Sequence, residues 1–192
     1  MNEVEIKLQV PAGQHRVVAA AVAGRAPTAR TRLQAAYYDT ADRALAEAGL
    51  ALRVRREGRQ WVQTLKGVGD DGLTRYEHNV ARGGTAAPPP VDPGLHAGSP
   101  AGERLLALLA GSPGAGLQTL YRTDILRRRR LLVVRAPDRP SAKVELAYDQ
   151  GRIIAGEAVL AVSELEIELL AGTPAAVIET ARRWIPRHGL WI

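Results

Sequence analysis

Cysteine is absent from this 192-residue chain, and so is phenylalanine. Without a thiol there is no disulfide, no cysteine nucleophile and no Cys-ligated zinc. Aromatic residues amount to 4% while hydrophobic ones reach 46%, so a core has to be built from Leu, Val, Ile and Ala. No apolar run approaches the ~20 residues that cross a bilayer. Charges at positions 3, 5 and 7 stand where a secretory leader would carry its apolar stretch. These absences predict a soluble protein, cytoplasmic by default, in a chain long enough for a real core. What is abundant is arginine: Lys and Arg total 26 against 20 acids, a net charge of +6. That balance suits a polyanionic partner, or simply a solvated basic surface.

The chain opens on NEVEIKLQV, in which charged and apolar residues alternate. Residues 3–10 therefore read as a strand with two unlike faces. An Ala-rich helix follows over 13–24, then a strand over 32–40 and a helical turn or two over 41–49. The runs 50–57 and 60–67 alternate around Gly58-Arg59, a hairpin signal, and 73–81 is a further strand. Residues 83–98 are rich in Pro and Gly and read as a connecting loop. A helix over 100–111 leads to strand-like segments at 117–135, 142–154 and 161–172, the middle one turning at Asp149–Gly151. Pro174 opens a last helix, 174–185. The order predicts an α+β chain dominated by an antiparallel sheet that closes on itself.

The alternation recurs with charge. Glu3, Glu5 and Lys7 are followed by Arg53 and Arg55, then Lys66, Arg75 and Glu77, Arg127 and Arg129, Lys143 and Glu145, and Glu164, Glu166 and Glu168. Each set has period two and lies on one face of its strand. A solvated outer face explains any single strand, but six together point elsewhere. The opposite faces are aliphatic and need cover, and the helices can give it. Charge is also sorted by strand, acids in ELEIEL and bases in LRVRR, although like charges two apart repel. Strands closed with the charges inward would form a lumen walled by acids and bases. Carboxylates suit hard divalent cations, and Arg and Lys suit phosphate. A metal-bound polyphosphate satisfies both.

These residues resemble the CYTH domain, the triphosphate tunnel metalloenzymes. EVEIK resembles the family's E-x-E-x-K signature, and YYDT, LRVRR, TLKG, RYEHNV, YRTDILRRRR, KVELAYDQG and SELEIELL follow in the family's order over nearly the whole chain. The nearest branch is the inorganic triphosphatases, in which a CYTH domain precedes a helical CHAD domain. The resemblance implies a single CYTH domain over 1–192, which is either complete or the N-terminal part of a longer CYTH–CHAD protein. Its fold would be a closed eight-stranded antiparallel β-barrel, the triphosphate tunnel, with helices packed outside. The implied activity is hydrolysis of inorganic triphosphate to pyrophosphate and phosphate, dependent on Mg²⁺ or Mn²⁺. Glu3, Glu5, Glu164, Glu166 and Glu168 would hold metal, with Glu145 and Asp149 as further acids, although Asp-Gln-Gly also reads as a turn. Lys7, Arg53, Arg55, Lys66, Arg75, Arg127 and Arg129 would bind phosphate, and Glu3, Glu5, Lys7 and Lys66 would be the catalytic set. Arg122 competes with Arg127 and Arg129 for the phosphate role, and Glu77 either binds metal or pairs with Arg75.

Two rivals use the same tunnel, thiamine triphosphatase and class IV adenylate cyclase activity. Trp61 and Tyr76 could stack on a ring but read better as packing, and no base-recognition motif is present. A third rival is a non-catalytic polyphosphate-binding domain, with Arg127–Arg130 as an external basic patch. Neither a membrane nor nucleic acid is the favoured partner. The histidines His15, His78, His96 and His188 lack ligand spacing and read as structural.

Overall fold

The computed structural model describes residues 4–24, 28–69, 75–84, 86–111, 116–136 and 139–192. The alternating segments become eight strands: β1 (Glu5–Gln9), β2 (Ala29–Asp39), β3 (Leu50–Glu57), β4 (Gln60–Val68), β5 (Arg75–Ala81), β6 (Gln118–Ala136), β7 (Arg139–Ala155) and β8 (Ala158–Ala171). Among the described residues four α-helices accompany them: α1 (His15–Ala23), α2 (Ala44–Glu47), α3 (Pro100–Ala110) and α4 (Ala175–His188). The strands form one sheet in the order β1-β8-β7-β6-β2-β3-β4-β5. The pairs β1–β8, β2–β3, β3–β4 and β4–β5 are antiparallel. Two hairpins turn on glycines in the left-handed region, Gly58 (φ 61°) and Gly156 (φ 57°), which a side chain would strain. No helix among the described residues is long and apolar enough to cross a membrane.

Two sequence expectations need correction. The ring of strands is not closed: the order is linear, and β1 and β5 are its end strands. The free edge of the five-residue β1 is used elsewhere, because Gln9 N–H donates to the Trp191 carbonyl (2.7 Å) and Trp191 N–H to the Gln9 carbonyl (3.3 Å). Nor does the chain turn at Asp149–Gly151. β7 runs through it to Ala155, and the turn lies at residues 156–157. A local turn signal loses here to pairing and to the Asp149 ion pair described below.

The chain divides into two compact units. The first comprises residues 1–31, 125–152 and 161–192. In it Leu8, Val144, Leu146, Tyr148, Leu165 and Ile167 make the apolar face of the sheet. Val18 and Val22 of α1 and Ala176, Val177 and Ala181 of α4 cover that face. These are the residues that recur at helical spacing. The alternate residues of β1, β7 and β8, the charged ones, occupy the other face.

The second unit comprises residues 32–124 and 153–160. Its core joins Leu50, Leu52 and Leu65 of β3 and β4 to Leu45 of α2 and to Ala101 and Leu105 of α3. α3 starts at a Ser99 cap, whose Oγ accepts from Gly102 N–H (3.1 Å) while donating to the His96 carbonyl (2.7 Å). Gly102 is required there, since a Cβ would lie 1.7 Å from that carbonyl oxygen. Arg104 ties α3 to the sheet by donating to the carbonyls of Val68 (2.7 Å) and Ala48 (2.8 Å). In each unit the helices cover the apolar face and leave the charged face of the strands uncovered by them.

Candidate functional site

In the first unit the β1–β8 register sets Glu5 opposite Glu168, Lys7 opposite Glu166 and Gln9 opposite Glu164. Lys7 Nζ lies 2.9 Å from Glu166 and 3.6 Å from Glu5. The Gln9 amide donates to Glu164 at 2.8 Å. From β6, Arg127 donates through Nε to Asp149 Oδ1 (2.7 Å) and through Nη2 to both Asp149 Oδ2 and Glu166 Oε2 (2.6 Å each). Arg129 Nη1 stands 4.0 Å from Glu145. Asp149 and Glu166 are the buried centre of this cluster, with side chains 11% and 12% exposed against 52% for Lys7.

The electrostatics follow from that crowding. Burial pushes the Asp149 carboxyl up, and the nearby charges of Glu166 and Glu164 add to this, so Arg127 only partly restores it. Burial would lower Arg127 and Lys7, but the surrounding carboxylates outweigh it and hold both above their ordinary values. Both therefore stay charged at neutral pH. Two carboxylates directly opposite one another, Glu5 and Glu168, are unfavourable in an antiparallel pair unless a cation offsets them.

Glu3 lies outside the described residues. Among those described, no three acids or histidines converge as a ready-made metal cage. The donor chemistry nevertheless fits a hard cation, since Glu5, Glu145, Asp149, Glu164, Glu166 and Glu168 offer carboxylate oxygen alone.

In the second unit the charged face carries Arg53, Arg55 and Lys66. Arg53 sits opposite Tyr37 on one side and Thr64 on the other. Its Nη1 donates to the Tyr37 hydroxyl (3.2 Å), and the Tyr37 ring is stacked on Tyr121 at 4.5 Å. The Arg53 Nε is shut off from solvent and has no hydrogen-bond partner among the described residues. Such a buried donor is costly to leave unmade. Arg55 is paired with Glu57. Lys66 is paired with Glu77 at 2.8 Å. The Arg75 side chain lies outside the description. Burial would raise the Glu77 carboxyl, but hydrogen bonds from Lys66 and Asn79 and the lysine's charge bring it below the usual range. Arg122 is exposed. Trp61 is 6% exposed under the Arg56 guanidinium, and so is packing, whereas Tyr76 is 39% exposed.

Two groupings were not apparent in the sequence. Asp39, in YYDT, is 2% exposed and accepts from the backbone N–H of Thr40 (2.7 Å), Leu45 (2.8 Å) and Ala46 (3.1 Å), thereby capping α2. Asp39 stands five residues ahead of α2, whose N-cap position is Arg43, so N-cap spacing in the sequence does not reveal it. The second grouping is a buried network around Gln63. Its Oε1 accepts from Arg82 (2.7 Å) and from Asp92 N–H (3.0 Å), and its Nε2 donates to the Asp92 carbonyl (2.7 Å). Both neighbours of Oε1 can only donate, so the amide orientation is fixed. Nε2 must then donate to His96 Nε2 (3.0 Å), which leaves the His96 proton on Nδ1, facing His78 Nδ1 at 3.0 Å. Burial and the neighbouring His78 push His96 down to about 4.

The chain matches the CYTH domain over residues 1–188 and belongs to that family. Among curated proteins it is similar to the inorganic triphosphatase of Haemophilus influenzae, 33% identical over 141 residues. That match takes in 71% of this chain and 35% of the relative, so the chain corresponds to about a third of that protein's length. Among solved structures it is similar to a candidate adenylyl cyclase from Hippeastrum with a dominant triphosphatase activity. There the TM-score is 0.56 at 19% identity, covering 98% of this chain and 88% of the other. A candidate adenylate cyclase from Bacillus halodurans gives 0.51 at 18%, covering 97% and 89%. These structural likenesses speak for a shared fold.

Proposed function

We propose that this chain hydrolyses inorganic triphosphate to pyrophosphate and phosphate with the help of Mg²⁺ or Mn²⁺. The observation that carries the reading is the β1–β8 register, which sets Glu5 against Glu168 beside Lys7 and Glu166. It gathers carboxylate oxygens of two strands around one ammonium group, a donor set suited to a hard cation. The similarity to the Haemophilus influenzae inorganic triphosphatase supports it.

Glu5, Glu166 and Glu168, with Glu164, Glu145, Asp149 and the undescribed Glu3, would hold the metal. Bound there, a divalent ion supplies a Lewis acid to phosphate oxygens. The protein's own groups do the rest. Lys7 and Arg127, held charged by their carboxylate neighbours, donate to phosphate oxygens as charge builds on the leaving group. Arg53, whose buried Nε–H lacks a partner among the described residues, and Arg55, Lys66 and Arg75 bind and orient phosphoryl groups. Trp61, beside the Arg-bearing strand β3, is packed under Arg56 and is not held out to stack on a nucleobase or a thiazole, which favours the inorganic substrate.

The test is phosphate release from triphosphate, ATP and thiamine triphosphate, with cyclic AMP assayed in parallel, in Mg²⁺ and in EDTA. Release from triphosphate should be fastest, should stop in EDTA, and should fall by about 100-fold or more in Glu5→Gln and Glu166→Gln. Turnover that survives EDTA or both substitutions rules the reading out. Unchanged triphosphate binding without turnover points instead to a polyanion-binding domain.

A further inference from the structure

Thr64 and Asn79 carry no charge, and neither belongs to the binding set above. In the β4–β5 ladder Thr64 is opposite Asn79 and Lys66 is opposite Glu77. Alternate residues share a face, so the two pairs are neighbours on it. Thr64 Oγ1 donates to Asn79 Oδ1 at 2.7 Å, and Asn79 Nδ2 donates to Glu77 Oε1 at 3.0 Å. The other carboxylate oxygen, Oε2, lies 2.8 Å from Lys66 Nζ.

The chain of donors runs in one direction only. The Glu77 carboxylate is an acceptor alone, so Asn79 must turn its NH₂ toward it. The Asn79 oxygen then faces Thr64, whose buried hydroxyl has a proton to give. Each oxygen of Glu77 thus has its own donor, and among the described residues Lys66 is met by a single carboxylate oxygen. Two of its three ammonium hydrogens remain for a ligand.

We infer that Thr64 and Asn79 are positioning residues for Lys66. They pin Glu77 by Oε1, so that it aims the lysine without wrapping it. With the amide gone, the carboxylate is free to rotate both oxygens onto the ammonium and compete with phosphate for it. The inference rests on the reading of Lys66 as a phosphate ligand and names two residues on which that role depends.

The test is a double-mutant cycle read in two ways: calorimetric titration with inorganic triphosphate in EDTA, and KM and kcat for triphosphate with Mg²⁺. Asn79→Leu and Thr64→Val should each weaken triphosphate binding and raise KM by about fivefold, with kcat held within about twofold. Thr64→Ser should restore the wild-type values. In a Lys66→Ala background, Asn79→Leu should add nothing further, whereas a merely structural effect would add in full. Equal losses in the two backgrounds, or an Asn79→Leu protein with wild-type affinity, overturn the inference. A wild-type protein that follows the cycle in the titration but releases no phosphate sinks the hydrolase reading and keeps the positioning role. One that hydrolyses triphosphate with an additive cycle does the reverse. A protein that neither binds nor hydrolyses it overturns both.

Discussion

Acid should weaken the second unit through one residue, His96. Its side chain is fully buried, accepts from Gln63 and meets His78, with Asp92 and Arg82 the charged groups of the same network. Folding lowers it from 6.5 to about 4. The folded state therefore refuses a proton that the unfolded chain accepts. This contribution is complete above about pH 6.5 and is lost progressively as the pH falls toward 4. At pH 4.5 the loss amounts to about 2–3 kcal/mol, taking 1.36 kcal/mol per unit. The perturbation is His96→Gln, because a side-chain amide offers one acceptor to Gln63 and one donor to His78 but does not titrate. The assay is urea unfolding of both proteins at pH 7 and pH 4.5. Protonation of the carboxylates and of His188 is common to the two and cancels in the comparison. The wild type should lose about 2–3 kcal/mol more than the variant over that interval. Equal losses, within about 0.5 kcal/mol, would falsify the fixed-proton geometry assigned to Gln63 and the two histidines.

Three further outcomes follow from the same contacts. Asp39→Ala should lower stability by about 3 kcal/mol, seen as a lower melting temperature, because it strips a buried acceptor from three backbone N–H groups, those of Leu45 and Ala46 at the start of α2 and that of Thr40 before it. Arg53→Lys should raise KM for triphosphate about tenfold or more, since a lysine cannot supply the Nε–H donor that is buried here; a KM equal to wild type would remove Arg53 from the binding set. Saturating Mg²⁺ should raise the melting temperature of the wild type, worth about 2.7 kcal/mol at 100 times Kd, and leave Glu166→Gln unshifted; a common shift would mean the ion binds elsewhere.

Much of this arrangement was legible because period-two alternation is a strong signal. Gly58-Arg59 fixed the β3–β4 hairpin, and with it the register that pairs Arg53 with Thr64. The helices over the aliphatic faces followed from the need to cover Leu52, Leu65 and Ile167. The errors came where a short signal met a distant partner. Asp-Gln-Gly has turn chemistry, but Asp149 is engaged by Arg127, 22 residues away, and the strand stays extended. The pairing of His78 with His96, both read as structural, was not an error but was out of reach, because only the folding of the Pro/Gly-rich segment back over β4 and β5 brings them together. Closure of the sheet depends on the edges of its end strands. Nothing in NEVEIKLQV announces that Gln9 will take its outer partner from Trp191.

Of the eight strands described, β1 is made first and is thus among the last to find a home. Glu5–Gln9 is bracketed by Glu164–Glu168 on one edge and Trp191 on the other, so it must wait, unpaired, through roughly 160 residues of synthesis. A peptide that idles this long gains from the charges of Glu5 and Lys7 on one face, because charged side chains make a poor template for strand-to-strand association with a neighbouring nascent chain. The same residues that would later grip an ion keep the waiting segment apart from its copies.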